Sequence, residues 1–210
     1  MQIDENTAAL LDALAPNVPF DGWTRKALAL ALESLGRAPE DAALLFPGGA
    51  GEMIEAYFTL ADERMIAAVR ANPPEGGVGA RVRAVLALRL EQMAGERETI
   101  RRALSWLALP AQARHLARLI AAMADAVWFA AGDKSADFSW YTKRATLSAI
   151  LLPTLLYWLG DESPAHEKTL GFLDRRLAGV RRFGQCRQGL RARLAQMPHP
   201  FRFAATSVRG

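Results

Sequence analysis

The sequence predicts an all-α fold of three short N-terminal helices, a larger helical body and an amphipathic C-terminal helix. Apolar residues recur at three- and four-residue spacing almost throughout, as in Leu116, Leu119, Ile120, Met123 and Val127, the pattern of a helix with one buried face. Period-2 runs of β-branched residues, which mark strands, do not occur. Helix punctuation falls at helix-length intervals, with Thr24 placed to cap a start and Gly36 and Gly132 placed to end helices.

The elements follow in order. Thr24 opens a helix over 25–35, which Gly36 stops. Pro39-Glu40-Asp41 opens a short helix ending near Phe46, and Pro47-Gly48-Gly49 makes the next turn. A longer helix runs from Ala50 to about Ala71 and stops at Asn72-Pro73-Pro74. Further helices are expected near 78–94, 96–108, 111–131, 139–159 and 164–183, with a tail helix near 183–197. Pro153 removes a backbone hydrogen bond inside the 139–159 helix and should kink it. The expected division is a helix-turn-helix-like head over 1–60, a body over 61–183 and a basic tail over 184–210. A chain of 210 residues suffices for one sizeable core, or for a small head on a larger body.

Charge separates those parts. Residues 1–60 carry three bases against nine acids, residues 61–173 fourteen against twelve, and residues 174–210 nine against one. The net charge of +4 therefore hides an acidic head, a balanced body and a strongly basic tail. Three short helices before a helical body is also the layout of a repressor-type transcription factor, whose third helix reads DNA. Here the helix in that place carries Glu40 and Asp41 and no base. An acidic surface repels phosphates, so no nucleic acid is expected as partner. The alternative is a transcriptional regulator of the tetracycline-repressor type that binds DNA and a hydrophobic effector.

Catalytic motifs are missing. The three histidines are preceded at i−3 by Gln112, Ser163 and Gln196, so a Glu-x-x-His metal pair does not form. Gly48-Gly49-Ala50-Gly51 lacks the Lys-Ser/Thr of a phosphate loop and reads as a helix start. No enzymatic activity, metal or cofactor is expected. The lone cysteine, Cys186, excludes an internal disulfide and suits a reducing compartment.

The richest segment is 128–144, with two Trp, a Tyr, two Phe, two Asp and an Arg. Gly132-Asp133 reads as a turn and Ser139 as the N-cap of the following helix, so bulky rings sit at an interhelical corner. Such rings either pin the corner to the core or form a partner surface, where Trp, Tyr and Arg concentrate binding energy. The partner candidates are Trp128, Asp133, Asp137, Trp140, Tyr141 and Arg144. The two aspartates are expected to cap and to meet Lys143 or Arg144.

The run GDKSADFSWYTKRA over 132–145, with Leu147-Ser148-Ala149-Ile150, resembles the signature of the lipid-binding accessory proteins of ubiquinone (coenzyme Q) biosynthesis. Weaker matches are Gly22-Trp23-Thr24, Leu35-Gly36, Ser163-Pro164 and Phe172-Leu173-Asp174-Arg175-Arg176-Leu177. The resemblance covers about 10–180 of the chain. It implies a tetracycline-repressor-like fold, a bound isoprenoid lipid or ubiquinone precursor, no catalysis, and docking to a di-iron demethoxyubiquinone hydroxylase.

The body suits an apolar ligand. Leu116, Leu119, Ile120, Met123 and Val127 form a stripe on one helix with Ala-rich neighbours, and the kink at Pro153 in the next would open a tunnel lined by Leu147, Ile150, Leu151, Leu155 and Met123. Close helix packing explains the same pattern; the resemblance favours a tunnel. In the tail, Phe183, Leu190 and Leu194 share an apolar stripe flanked by Arg187 and Arg193. That arrangement suits a membrane interface, or docking on the body, or nucleic acid. The first 24 residues hold no Lys or Arg, which argues against a secretory or mitochondrial leader. The expectation is thus a bacterial cytoplasmic protein, peripheral on the inner face of the cytoplasmic membrane, and a homodimer.

Overall fold

The computed structural model describes residues 3–133 and 138–179, and within them every regular element is helical. In order these are α1 (Glu5–Leu14), α2 (Val18–Asp21), α3 (Arg25–Ser34), α4 (Ala42–Leu45), α5 (Ala50–Ala71), α6 (Val78–Gln92), α7 (Arg97–Leu107), α8 (Ala113–Ala130), α9 (Phe138–Leu159) and a last helix, α10, over 167–179. Short 3₁₀ turns lead into α4, α7, α8 and α10.

Local chemistry accounts for most boundaries. The Asp4 carboxylate accepts from the Thr7 backbone at 2.9 Å and caps α1. Thr24 caps α3 by accepting from the Ala27 N–H at 3.2 Å. Gly36 and Gly132 adopt left-handed φ of 68° and 75° after α3 and α8. In both turns the next residue's N–H reaches back to the helix, Arg37 to Leu32 and Asp133 to Trp128. This is the doubly bonded glycine stop that the sequence signalled. The turn at Pro39 is 3₁₀ before it becomes α4. Helix α9 begins at Phe138, so Ser139 lies inside the helix and does not precede it as a cap. Two elements, α1 and α2, fall outside the helices read from sequence, although Asp4 followed by Leu10, Leu11 and Leu14 is a capped apolar stripe.

One contiguous core runs from Leu10 to Leu173. Helix α5 threads through it and packs along α8, while α8 packs along α9. The expected boundary at residue 60 therefore falls inside α5. Buried polar bonds tie head to body. The Trp23 indole donates to the Thr99 carbonyl at 3.3 Å, and the Thr99 hydroxyl donates to the Ala15 carbonyl at 3.0 Å. Gly51 has no side chain where α5 meets α8, and a Cβ there would sit 3.1 Å from both His115 and Trp106.

The end of α9 is held by arginines from α7. Arg97 donates to the Trp158 carbonyl at 3.0 Å and the Asp161 carbonyl at 2.6 Å, and its guanidinium lies 4.8 Å over the Trp158 ring. Arg101 donates to the Leu159 carbonyl at 3.0 Å. Beyond them the buried Asp161 carboxylate accepts from the backbone N–H and hydroxyl of both Ser163 and Thr169. Burial opposes its charge, but these four donors hold Asp161 well below the usual carboxylate range.

Candidate functional site: an apolar cavity beside an aromatic corner

A cavity of about 500 Å³ lies between α6, α9, α10 and the end of α8, within the roughly 300–1,000 Å³ typical of small-molecule sites. Its apolar wall comes from Val82 of α6, Trp128 of α8, Leu147 and Ile150 of α9, and Leu177 of α10. Gly79 and Ala80 leave space at the start of α6. The polar lining residues are Arg83 of α6, Thr142, Lys143 and Thr146 of α9, and Asp174 of α10. Arg83 grips Asp174 with two hydrogen bonds of 2.7 and 3.2 Å, joining α6 to α10. Lys143 meets Asp133 at 2.7 Å.

The lipid candidates divide between this cavity and the core. Leu147 and Ile150 line the cavity. Leu119, Ile120, Met123, Val127, Leu151 and Leu155 are buried in the core, and Leu116 packs partly buried against it. The wall toward α6 and α10 escaped sequence reasoning. Helical periodicity identifies the buried face of each helix but not which buried faces leave a gap between them. Pro153 is on an exposed face, later in α9 than the cavity residues, and α9 continues through it.

The corner brings most of the partner candidates together. The Gly132 turn ends α8 so that Asp133 meets both Lys143 and Arg144, at 2.7 and 3.7 Å. Arg144 also pairs with Asp125 of α8, and its guanidinium lies 3.9 Å over the Trp140 ring. Trp140 is half-buried and packs edge-on against Tyr141, with ring centres 4.8 Å apart. Tyr141 is 68% exposed. Trp128 turns inward from the same corner to the cavity, with the Lys143 ammonium 5.4 Å from its ring. Corner and cavity are thus contiguous through the first turns of α9. Asp137 lies outside the described residues, as do Phe183, Arg187, Leu190, Arg193 and Leu194 with the rest of the expected membrane tail.

Other polar clusters are structural in character. Arg89, 2% exposed, pairs with Asp62 at 3.1 Å under the Phe58 ring. Burial pushes the Asp62 carboxyl up to about 6 against the attraction of Arg89. His115 bonds Glu55 at 2.7 Å and His166 bonds Arg97 at 2.7 Å. Among the described residues no cluster of His, Cys, Asp and Glu has the makings of a metal site, and no helix is long and apolar enough to cross a membrane.

An all-helical body with a helix-turn-helix-like head defines the repressor-like class of fold. A TetR transcriptional regulator from Nitrosomonas europaea superimposes with a TM-score of 0.64 at 22% identity, over 83% of this chain and 97% of its own. That likeness concerns the fold alone. The family model described as COQ9 matches residues 113–184, which hold the corner and most of the cavity wall. "Ubiquinone biosynthesis protein COQ9, mitochondrial" of Drosophila melanogaster is 31% identical over 183 residues, spanning 84% of this chain and 55% of that protein. The protein of the same name from Schizosaccharomyces pombe is 30% identical, spanning 84% of this chain and 70% of its own. The chain belongs to the COQ9 family of ubiquinone biosynthesis proteins.

The chain spans just over half the length of the animal relatives it matches. Their names also correct the location expected above. They are mitochondrial proteins, which overturns the bacterial cytoplasm and the inner face of its membrane. The expectation rested on the missing bases before Arg25, and the composition of these residues cannot speak for the longer relatives.

Proposed function

We propose that this protein is a non-catalytic lipid-binding accessory protein of ubiquinone biosynthesis, which presents an isoprenoid quinone precursor to a di-iron hydroxylase. The observation that carries the reading is the roughly 500 Å³ cavity with an apolar wall, opening beside the Trp140–Tyr141 corner. An isoprenoid tail is poorly soluble, and an apolar wall removes it from water. Both features share α9, so a lipid held by Leu147 and Ile150 lies two to three turns from the rings offered to a partner. The family's role in ubiquinone biosynthesis supports a quinone precursor as the lipid. Against DNA as partner stands the acidic head, where Glu40 is exposed and Leu44 is 80% exposed on the helix that would read bases.

A second copy of the chain is the proposed occupant of the outer face of α9 and α10. There Leu156 is 55% exposed beside the stacked pair Tyr157 and Phe172. Repressor-like bodies pair through their last helices.

Native mass spectrometry of the purified chain, with lipid extraction, tests the main reading. The expected result is an isoprenoid quinone or its precursor bound to the folded protein. Thr146 lines the cavity and is half-buried, so Thr146→Trp fills it and should remove that mass while helical circular dichroism is unchanged. Protein free of lipid under all extraction conditions defeats the reading.

A further inference from the structure

The cations that line the cavity already have carboxylate partners, and this bears on which head group the site accepts. Three described lining residues are ionisable: Arg83, Lys143 and Asp174. Arg83 is engaged by both oxygens of Asp174, and Lys143 by Asp133. The hydrogen bond from Arg83 to Asp174 raises the pKa of the guanidinium still further, so Arg83 stays charged. Each lining cation has a carboxylate partner, and Asp133 is shared with Arg144.

We propose that the cavity selects uncharged isoprenoid amphiphiles over phosphate-bearing ones, with Asp174 setting the selectivity by occupying Arg83. The proposal rests on the lipid-binding reading above and names the ligand class of that site. A phosphate entering beside Arg83 must either displace Asp174 from the two-point bond or remain beside an uncancelled carboxylate. A guanidinium–carboxylate bond made at two points holds its geometry better than a single contact, and like charges at close range repel. An alcohol, phenol or quinone meets neither cost. It leaves both pairs intact, and the Thr146 hydroxyl in the lining suits a neutral oxygen. Val82, Leu147, Ile150 and Leu177 then face the tail, which is common to both ligand classes.

The test uses the full chain and two probes that share one tail, geranylgeraniol and geranylgeranyl diphosphate, with decylubiquinone as a quinone reference. Affinities are measured by titration below the aggregation limit of each probe. Wild-type protein should bind the alcohol at least about tenfold more tightly than the diphosphate. Asp174→Asn keeps the shape of the side chain, frees Arg83, and should tighten diphosphate binding about tenfold while alcohol binding is unchanged. Adding Arg83→Gln to that variant should abolish the gain. Since Arg83 and Asp174 are 42% and 49% exposed, these changes should leave the thermal midpoint within a few degrees. Wild-type protein that takes the diphosphate as well as the alcohol, or an Asp174→Asn variant with an unchanged ratio, overturns the selectivity and leaves lipid binding standing. Wild-type protein that binds neither geranylgeraniol nor decylubiquinone overturns the lipid reading itself, and this proposal with it.

Discussion

The Trp140 ring lies between the exposed Tyr141 and the Arg144 guanidinium, so half of it is covered without being part of the core. Its removal should cost the fold little, about 1 kcal/mol for the lost cation–π and edge contacts. A central Trp at an interface costs about 2 kcal/mol of binding or more, roughly 30-fold. Trp140→Ala should therefore weaken binding to the proposed hydroxylase partner at least tenfold in a surface-plasmon titration, with the proposed lipid retained. A fall of many degrees in melting temperature would make the ring a structural pin. Arg89 is the opposite kind of residue. Asp62 titrates near 6 in the fold and 3.8 in its unperturbed state. Its contribution to stability is thus full below 3.8 and is lost as pH rises through 6. Arg89→Met deprives the buried carboxylate of its partner and should destabilise by about 3 kcal/mol near pH 8. The difference from wild type should narrow toward pH 5.5, where Asp62 is mostly protonated. Urea unfolding at the two pH values reads this directly.

At the scale of elements, α9 ends without a glycine of the Gly132 kind, because α7 supplies the donors for its last carbonyls. Arg97 serves the Trp158 carbonyl and, just beyond the helix, that of Asp161, and it stacks on Trp158, which is fully buried. Arg97→Ala should lower unfolding free energy by about 2 kcal/mol in urea. Arg101→Ala, at a side chain 49% exposed, should cost less than about 1 kcal/mol. Equal costs would mean that the carbonyl bonds, not the burial of Arg97, hold the two helices together. Stops at Gly36 and Gly132 were legible in the sequence because a left-handed turn is a local event with a local residue preference. The α7–α9 clamp was not, since Arg97 and Trp158 are 61 residues apart and no spacing rule joins them.

For the whole molecule, the outer face of α9 and α10 is the proposed seat of a second copy. Leu156→Glu puts a charge where a second copy is proposed to pack. It should shift the protein from dimer to monomer in light scattering after gel filtration, with the melting temperature of the monomer preserved because Leu156 is outside the core. A variant that stays dimeric places the contact on another face.

Helical periodicity and capping residues were enough to set the all-α class and most helix boundaries. They also marked 128–144 as the segment of chemical interest, since aromatic and charged residues crowd there within a few turns. All of these are short-range properties, written in residues a few positions apart. Tertiary packing alone decided that Met123, Leu151 and Leu155 fill the core while Leu147 and Ile150 line a cavity. It alone brought Val82 and Arg83 opposite Asp174 and Leu177 to form the other wall. A cavity is a gap between helices, and its shape depends on how four of them pack. That packing is the joint outcome of side-chain volumes spread along the whole chain.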